Sequence, residues 1–167
     1  MMESLYIASF NLKELEQLFN CKIDDDDFYD VIAYQISQQA PEYLIQNIQN
    51  FSGSQLRGAI FGLGFTVVGS DELLLPFLTH GDPLVISSAL DSLVRLNIQL
   101  KLDDLVFLQN HKSPYVRGAA LRYLKVILPI DEIYRRLLEA SKDDDAIVRQ
   151  NVADELSELG LKEAIPL

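Results

Sequence analysis

The sequence is poor in the residues that build metal and catalytic sites. It has one cysteine, Cys21, and two histidines, His80 and His111. A single cysteine excludes an internal disulfide and a cysteine-based zinc site, and it favours a reducing compartment. No Cys–His or Ser–His–Asp arrangement with a recognisable motif occurs. We therefore expect a protein that is not an enzyme and that uses no metal or other cofactor.

Basic residues are also few. The chain has 14 Lys and Arg against 25 Asp and Glu, a net charge of −11, and it has no tryptophan. Such an excess of negative charge disfavours binding to nucleic acid or to an anionic membrane. The charge is uneven, because residues 1–50 carry 2 basic and 9 acidic side chains whereas residues 112–136 carry 6 and 2. The partner that this balance favours is another protein, with a basic one as a candidate.

Long hydrophobic runs are missing. The longest, AIFGLGFTVVG at 59–69, is well short of the ~20 residues that a membrane-spanning helix needs. The apolar SLYIASF near the start is followed at once by NLKELE, which is unlike a signal peptide. The hydrophobic fraction of 49% is too high for a disordered chain. We expect one soluble, cytoplasmic domain that spans residues 1–167.

The chain does contain a repeated sequence motif. Similar stretches occupy residues 74–96, 105–127 and 137–159. Their valines are separated by 31 and 32 residues, and two further apolar positions keep the same register; these anchors are Val85, Val116 and Val148, then Ala89, Ala120 and Val152, then Leu93, Leu124 and Leu156. A weaker copy lies at 53–64. Self-similarity at such a period predicts a stacked helical repeat.

Each repeat divides into two helical runs around a polar turn. In the second run of one copy the apolar residues fall at a helical spacing of four, four and three: Val116, Ala120, Leu124 and Ile127. Asp82-Pro83 and Ser113-Pro114 precede such runs, and these pairs suit a helix cap and a first helical position. The sequence therefore predicts about ten short helices in antiparallel pairs.

The pattern resembles the HEAT repeats, and in particular the HEAT-like units of phycobilisome lyases. The closest correspondence is DDDAIVRQNVADELSELGLKEAIPL at 143–167. The resemblance covers residues 51–167 and implies an all-α, right-handed α-solenoid of the HEAT/ARM type, with residues 1–50 as divergent N-terminal helices. It divides the rest into units at about 51–70, 71–97, 101–128 and 131–160, with a C-terminal cap at 161–167.

The resemblance also assigns a role to the arginine that follows each anchor. It implies that Arg57, Arg117 and Arg149 bond to an acidic turn residue or to the neighbouring repeat. Asp145 and Arg149 are four residues apart, the spacing of an ion pair along one helix. The anchors Val85, Ala89, Val116, Ala120 and Val148 are interpreted as packing residues.

Three stretches suggest chemistry that their residues do not support. GFTVVGSD at 64–71 lacks the lysine of a phosphate loop and has a carboxylate in the wrong place, so we expect Gly58, Gly62 and Gly64 to permit close helix packing and Gly69 to end the helix. The four aspartates at 24–27 lack the spacing of a calcium loop and are interpreted as a solvated acidic helix cap. His80 and His111 are interpreted as exposed turn residues.

The candidate partner-binding residues are Asp91, Arg122, Lys125 and Asp154. According to the resemblance, the second helix of each pair lines the inner face of the array. The exposed column there would place Arg122 between Asp91 and Asp154. Two interpretations remain open: a ladder of salt bridges between repeats, which is favoured, or a charge pattern that selects a partner.

The leading functional hypothesis is a non-enzymatic protein-binding module or adaptor. A first alternative is an accessory role in attaching or removing phycobilisome chromophores, and a second is an acidic inhibitor or immunity-type protein that binds a basic partner. A DNA glycosylase of the helical-repeat type ranks last, because it would need a basic groove. Self-association is left open.

Overall fold

The computed structural model describes residues 10–66 and 70–160. In these residues the chain forms ten α-helices, two short 3-10 helices and no strand. The α-helices are α1 (Leu12–Phe19), α2 (Asp26–Gln39), α3 (Pro41–Asn47), α4 (Gly53–Leu63), α5 (Ser70–Leu74), α6 (Pro83–Arg95), α7 (Leu102–Gln109), α8 (Pro114–Ile127), α9 (Ile130–Ala140) and α10 (Ala146–Glu158). The 3-10 helices are Ile48–Asn50 and Leu75–Thr79.

The helices form two rows. The even-numbered helices pack on one another in chain order, α2 on α4, α4 on α6, α6 on α8 and α8 on α10. The second row consists of α1, α3, the 3-10 helix Leu75–Thr79, α7 and α9, which pack on α2, α4, α6, α8 and α10 respectively. The prediction of an all-α solenoid of stacked helix pairs is confirmed. The division into units at the predicted boundaries stays a prediction.

The same turn precedes the even-numbered helix in three successive repeats. The Nδ1 atom of His80 accepts a hydrogen bond from the backbone N–H of Asp82, and Nδ1 of His111 accepts one from Ser113. In the third repeat a carboxylate replaces the imidazole, since Asp143 accepts from the backbone of the residue two positions on. The histidines therefore shape turns in equivalent places.

The predicted anchors form one continuous core. Every anchor valine, alanine and leucine of the three repeats is at most 2% exposed. The same cluster continues without a break into the first 50 residues, where it includes Leu15, Phe19, Ile36 and Leu44. A single pair of short helices could not bury its apolar side alone, so burial along the whole array is what stabilises each repeat.

Some expectations fall on residues that the structure does not describe. The assignment of Gly69 to a helix end and the proposed cap at 161–167 both lie outside the described residues. Of the helices within the described ranges, none is long and apolar enough to cross a membrane. Those same ranges contain no cluster of three or more metal-ligating side chains.

Candidate functional site

Arg122 on α8 is held by the two neighbouring even-numbered helices. Its Nε and Nη2 atoms donate to the two carboxylate oxygens of Asp91 at 2.8 and 2.9 Å, and its Nη1 donates to Oδ1 of Asn151. The Arg122 and Asp91 side chains are only 29% and 30% exposed. The sequence predicted that Arg122 lies between Asp91 and Asp154, and only the contact with Asp91 is present. The other partner of Arg122 is Asn151. Asp154 is exposed and forms no ion pair with any described residue.

Lys125 is likewise engaged within the chain. Its Nζ lies 3.1 Å from Glu155 and 2.8 Å from Glu158. Burial raises the pKa of Glu155 even though Lys125 acts in the opposite sense. Burial would lower the pKa of Lys125, but the hydrogen bonds to Glu158 and Glu155 outweigh it and raise that pKa. Of the four candidate contacts, three are thus tied to other parts of the chain.

The arginines that follow the anchors bond across the repeats or to their turns. Arg117 makes a bidentate ion pair with Asp143, in which Nε and Nη2 each donate to one carboxylate oxygen at 2.8 Å. Its Nη1 donates to the backbone carbonyls of His111 and Lys112. The hydrogen bond from Arg117 lowers the pKa of Asp143. This contact joins the start of α8 to the turn before α10. The arginine therefore locks one repeat onto the next.

Arg149 departs from the expected pairing. It donates to the carbonyls of Asp143 and Asp144 instead of to the carboxylate of Asp145. That carboxylate caps α10 by accepting the backbone N–H of Ile147 at 2.9 Å. The predicted ion pair between Asp145 and Arg149 is therefore replaced by a helix cap and a pair of hydrogen bonds to the turn backbone.

The acidic run at 24–27 is tied to α4 and α2. Asp24 accepts a hydrogen bond from Ser54, and Asp25 caps α2 at the backbone N–H of Phe28. Asp26 forms an ion pair with Arg57 at 2.6 Å, and Arg57 also approaches Asp82 at 3.6 Å. The prediction of a solvated acidic helix cap agrees with this geometry, since all four aspartates are exposed and Asp25 caps α2, and the contacts of Asp24 and Asp26 with α4 are additional to it.

An aromatic cluster lies where α2, α4 and α6 meet. The Tyr34 and Phe65 rings make an edge-on contact at 5.0 Å, and Phe61 lies 5.1 Å from Phe65. The guanidinium of Arg95 sits over both phenylalanines, at 4.5 Å from the Phe61 ring and 5.2 Å from the Phe65 ring. Val31, Tyr34 and Phe65 are 48%, 44% and 39% exposed. These side chains form an apolar patch that faces solvent.

A small polar cavity adjoins the aromatic cluster. Its volume is ≈160 Å³, and it is lined by Asp26, Asp30, Arg57, Phe61, Ser88, Asp91 and Arg95. Burial and the neighbouring charge of Asp26 raise the pKa of Asp30 to about 6, against the effect of Arg95. Burial lowers the pKa of Arg95, opposed by the carboxylates of Asp91 and Asp30.

Arg95 is positioned by more than the rings. One of its terminal nitrogens donates to Oγ of Ser92 at 3.2 Å, and that hydroxyl is fully buried and donates to the carbonyl of Ile60 at 2.9 Å. The guanidinium is therefore fixed between α4 and α6. We call the solvent-facing side of α2, α4, α6, α8 and α10, with this cluster and cavity, the even-helix face.

Reasoning from the sequence did not find the aromatic cluster or its cavity. The partner-binding residues predicted from the sequence all lie in the repeats after residue 74. The missing signal is a set of side chains four residues apart: Asp30 with Tyr34 on α2, Phe61 on α4 with Phe65 just beyond its end, and Asp91 with Arg95 on α6. This spacing of one helical turn is a signal that the sequence itself contains.

Comparison with known proteins supports the repeat assignment. Residues 105–167 match the family model described as HEAT repeats, a class of repeat that commonly mediates protein–protein interaction and is generally non-enzymatic. The match does not extend to the phycobilisome-lyase type. No curated protein and no solved structure gives a significant match.

Proposed function

We propose that the protein is a non-enzymatic protein-binding module that holds its partner on the even-helix face. The observation that carries this proposal is the exposed patch of Val31, Tyr34 and Phe65 beside a charged cavity. Protein interfaces are enriched in aromatic and arginine side chains at their centres. Here both kinds occur together on one surface.

The patch is also arranged to bind at low entropic cost. Arg95 is stacked on Phe61 and Phe65 and bonded to Ser92, so these side chains are already ordered before a partner arrives. Immobilising a side chain on binding costs about 0.5–1.5 kcal/mol, and a pre-ordered surface avoids part of that cost. The ties of Arg122 and Lys125 keep the rest of the face in place in the same way.

Capture from a native lysate with matched variants tests the proposal. The test variant is Val31→Glu with Tyr34→Glu, which places two charges on the patch. The control is Phe107→Glu on α7, a change at a 65% exposed residue of the opposite row. We expect a protein that is captured by the wild type and by the control, and that is lost from the test variant at unchanged helicity and melting temperature.

Two results would contradict this proposal. Equal capture by all three proteins would place the binding surface elsewhere, and loss with Phe107→Glu alone would place it on the row that contains α7. Quantitative mass spectrometry of the captured proteins separates these outcomes. Circular dichroism of each variant excludes unfolding as the cause.

The cytoplasm is the compartment that we propose for this activity. Cys21 is a free, exposed thiol, which suits a reducing environment.

Inhibition of a basic enzyme or toxin is one form that the proposed binding role could take, and the acidic composition suits it. Such an inhibitor would form a stable complex with its basic partner. The association rate should fall as salt is added, because screening weakens the attraction between opposite charges.

A role in attaching or removing phycobilisome chromophores is a second proposal, which rests on the resemblance of residues 143–167 alone. Mixing the protein with a bilin and its apo-phycobiliprotein tests it directly. A change in the visible absorption spectrum with formation of a covalent adduct would support this role. An unchanged spectrum over the time in which a known lyase completes the reaction would count against it.

A further inference from the structure

Asp30 differs from the other carboxylates that line the cavity of the even-helix face. Asp26 pairs with Arg57 at 2.6 Å, and Asp91 pairs with Arg122 at 2.8 Å. The carboxylate of Asp30 is partly buried and makes no hydrogen bond or ion pair with any described residue. Partly removing a carboxylate from water without an ion-pair partner disfavours its charged form, so a cation placed beside Asp30 would be bound favourably.

The nearest candidate cation within the chain is held away from Asp30. Arg95 lies over the Phe61 and Phe65 rings and bonds to Ser92 instead of forming an ion pair with Asp30. Closing that pair would break the stacking, which contributes about 0.5–2 kcal/mol for a cation over aromatic rings. The open space between these groups is the cavity of ≈160 Å³.

The charges around the cavity and along the face favour a positive occupant. Three carboxylates and two guanidinium groups line the cavity, an excess of one negative charge: Asp26, Asp30 and Asp91 against Arg57 and Arg95. Along the five even-numbered helices the acidic side chains also outnumber the basic ones by one: Asp26, Asp27, Asp30, Asp91, Asp154, Glu155 and Glu158 against Arg57, Arg95, Arg117, Arg122, Lys125 and Arg149. A partner of opposite charge is attracted to such a surface, and a partner of like charge is rejected.

We propose that a partner protein inserts one lysine or arginine side chain into this cavity, with its cation against Asp30 and an adjacent apolar side chain on Val31, Tyr34 and Phe65. The inference rests on the proposed function, since it specifies the partner's chemistry for the same face. The cation supplies the counter-charge that Asp30 lacks. The apolar neighbour covers the exposed aromatic patch, which supplies the hydrophobic part of the contact.

Selection of random peptides on the intact protein tests this pairing of a cation with an apolar residue. The probe is a phage-displayed library of random twelve-residue peptides, selected on the wild-type protein alone so that dependence on Asp30 is measured afterwards and not imposed by the selection. We expect the enriched peptides to carry Lys or Arg next to an aromatic or aliphatic residue. A synthetic copy of an enriched peptide should bind Asp30→Asn at least tenfold more weakly than wild type, and should bind Asp131→Asn almost unchanged.

Asp131 is the matched control because it is exposed on α9 and the change removes the same charge. A general effect of net charge would weaken binding equally in both variants. A contact at the cavity would weaken binding only in Asp30→Asn. Circular dichroism is expected to show both variants folded.

The pH dependence of binding gives a second readout. The charged groups that face Asp30 are Asp26 and Asp27 on α2, Arg57 on α4 and Arg95 on α6. Since the pKa of Asp30 is about 6, its carboxylate is largely protonated at pH 5 and ionised at pH 7. Peptide affinity for the wild type should rise over this range, and the affinity for Asp30→Asn should stay flat.

The outcomes separate this inference from the proposed function. Enriched peptides that lack a cation but lose affinity with Val31→Glu and Tyr34→Glu would overturn the inference and leave the proposed function standing. Acidic peptides that depend on Arg95 would also overturn it. Peptides that are indifferent to every change on the even-helix face, or the absence of any enriched peptide, would count against both.

Discussion

At the scale of single residues, Tyr123 shows how one buried hydroxyl holds a connection between repeats. Its ring is fully buried, and its hydroxyl donates to the carbonyl of Ile98 and accepts the backbone N–H of Leu100 at 2.9 Å. Burial raises the pKa of Tyr123. The same connection contains Asn97 at φ 54°, a left-handed conformation that asparagine tolerates better than most residues.

Replacing Tyr123 with Phe should destabilise the fold by about 1–3 kcal/mol, because both backbone groups would lose their partner in a poorly hydrated place. Urea unfolding followed by circular dichroism measures the change. Tyr115→Phe is the control, since that side chain is 47% exposed, and it should change stability by less than about 0.5 kcal/mol. Equal stability of Tyr123→Phe and wild type would mean that water replaces the lost contacts.

The ionisation of Asp30 should be visible in stability. Burial and the neighbouring charge of Asp26 raise the pKa of Asp30 in the folded state to about 6, above the ordinary value of about 3.9 for an aspartate. The contribution of this group to stability is therefore fully present below pH 4 and is lost as the pH rises through 6. Asp30→Asn should melt above the wild type at pH 7 and at the same temperature below pH 4.

Melting curves between pH 3.5 and pH 8 measure this effect, with Asp154→Asn as the control. Asp154 is exposed, so its replacement should leave the difference small at every pH. A constant difference between Asp30→Asn and wild type across this range would show that ionisation of Asp30 is not the cause.

At the scale of helices, the contact between α2 and α4 depends on glycine. A Cβ atom at Gly58 would lie 2.4 Å from the Cβ of Tyr29, and one at Gly62 would lie 2.8 Å from the carbonyl oxygen of Ala33. The two glycines and the two residues that they face are each four apart, so one side of each helix makes the whole contact. The prediction that these glycines permit close packing agrees with this geometry.

Gly62→Ala should destabilise the protein by about 1–3 kcal/mol, because the added methyl group meets backbone that can only move if the two helices separate. Gly81→Ala is the control: a Cβ there meets nothing within 4 Å, and the substitution should be neutral or slightly stabilising. Thermal and urea unfolding of both variants make the comparison. A loss in Gly81→Ala as large as in Gly62→Ala would remove close packing as the explanation.

At the scale of the whole molecule, stability depends on the joints between neighbouring repeats. Each even-numbered helix packs on the next, and polar ties reinforce the joints. Arg122 contributes to two joints at once through Asp91 and Asn151. In such an array each interface adds to stability and couples one repeat to the next.

Arg122→Glu should lower stability by about 1–2 kcal/mol, more than an exposed ion pair contributes, because the contact is two-pronged and partly buried. Combining Arg122→Asp with Asp91→Arg should restore part of the loss by reversing the pair. Lys142→Glu is the control, as an exposed turn residue with the same change of charge. A loss in Lys142→Glu of the same size would assign the effect to net charge.

The sequence by itself was enough to determine the helices and their common core. The spacing of Val85, Val116 and Val148 predicted buried anchors, and the structure buries all three. Asp82 and Pro83 predicted the start of α6, where the aspartate caps the helix. These features depend on residues within one or two helical turns, or on equivalent positions in the next repeat. The amino-acid sequence therefore specifies them directly.

The tertiary structure alone decided which side chains meet across the even-numbered helices. Gly118 lies four residues before Arg122 on α8 and is buried, and a Cβ there would lie 2.8 Å from Nδ2 of Asn151. That close approach brings Asn151 beside Arg122, while its Nδ2 donates to the carbonyl of Ile147 and leaves Oδ1 to accept from the arginine. Asp154 lies about one turn further along α10 and is out of reach. The offset between adjacent helices comes from how their small residues pack, and no spacing within one helix specifies it.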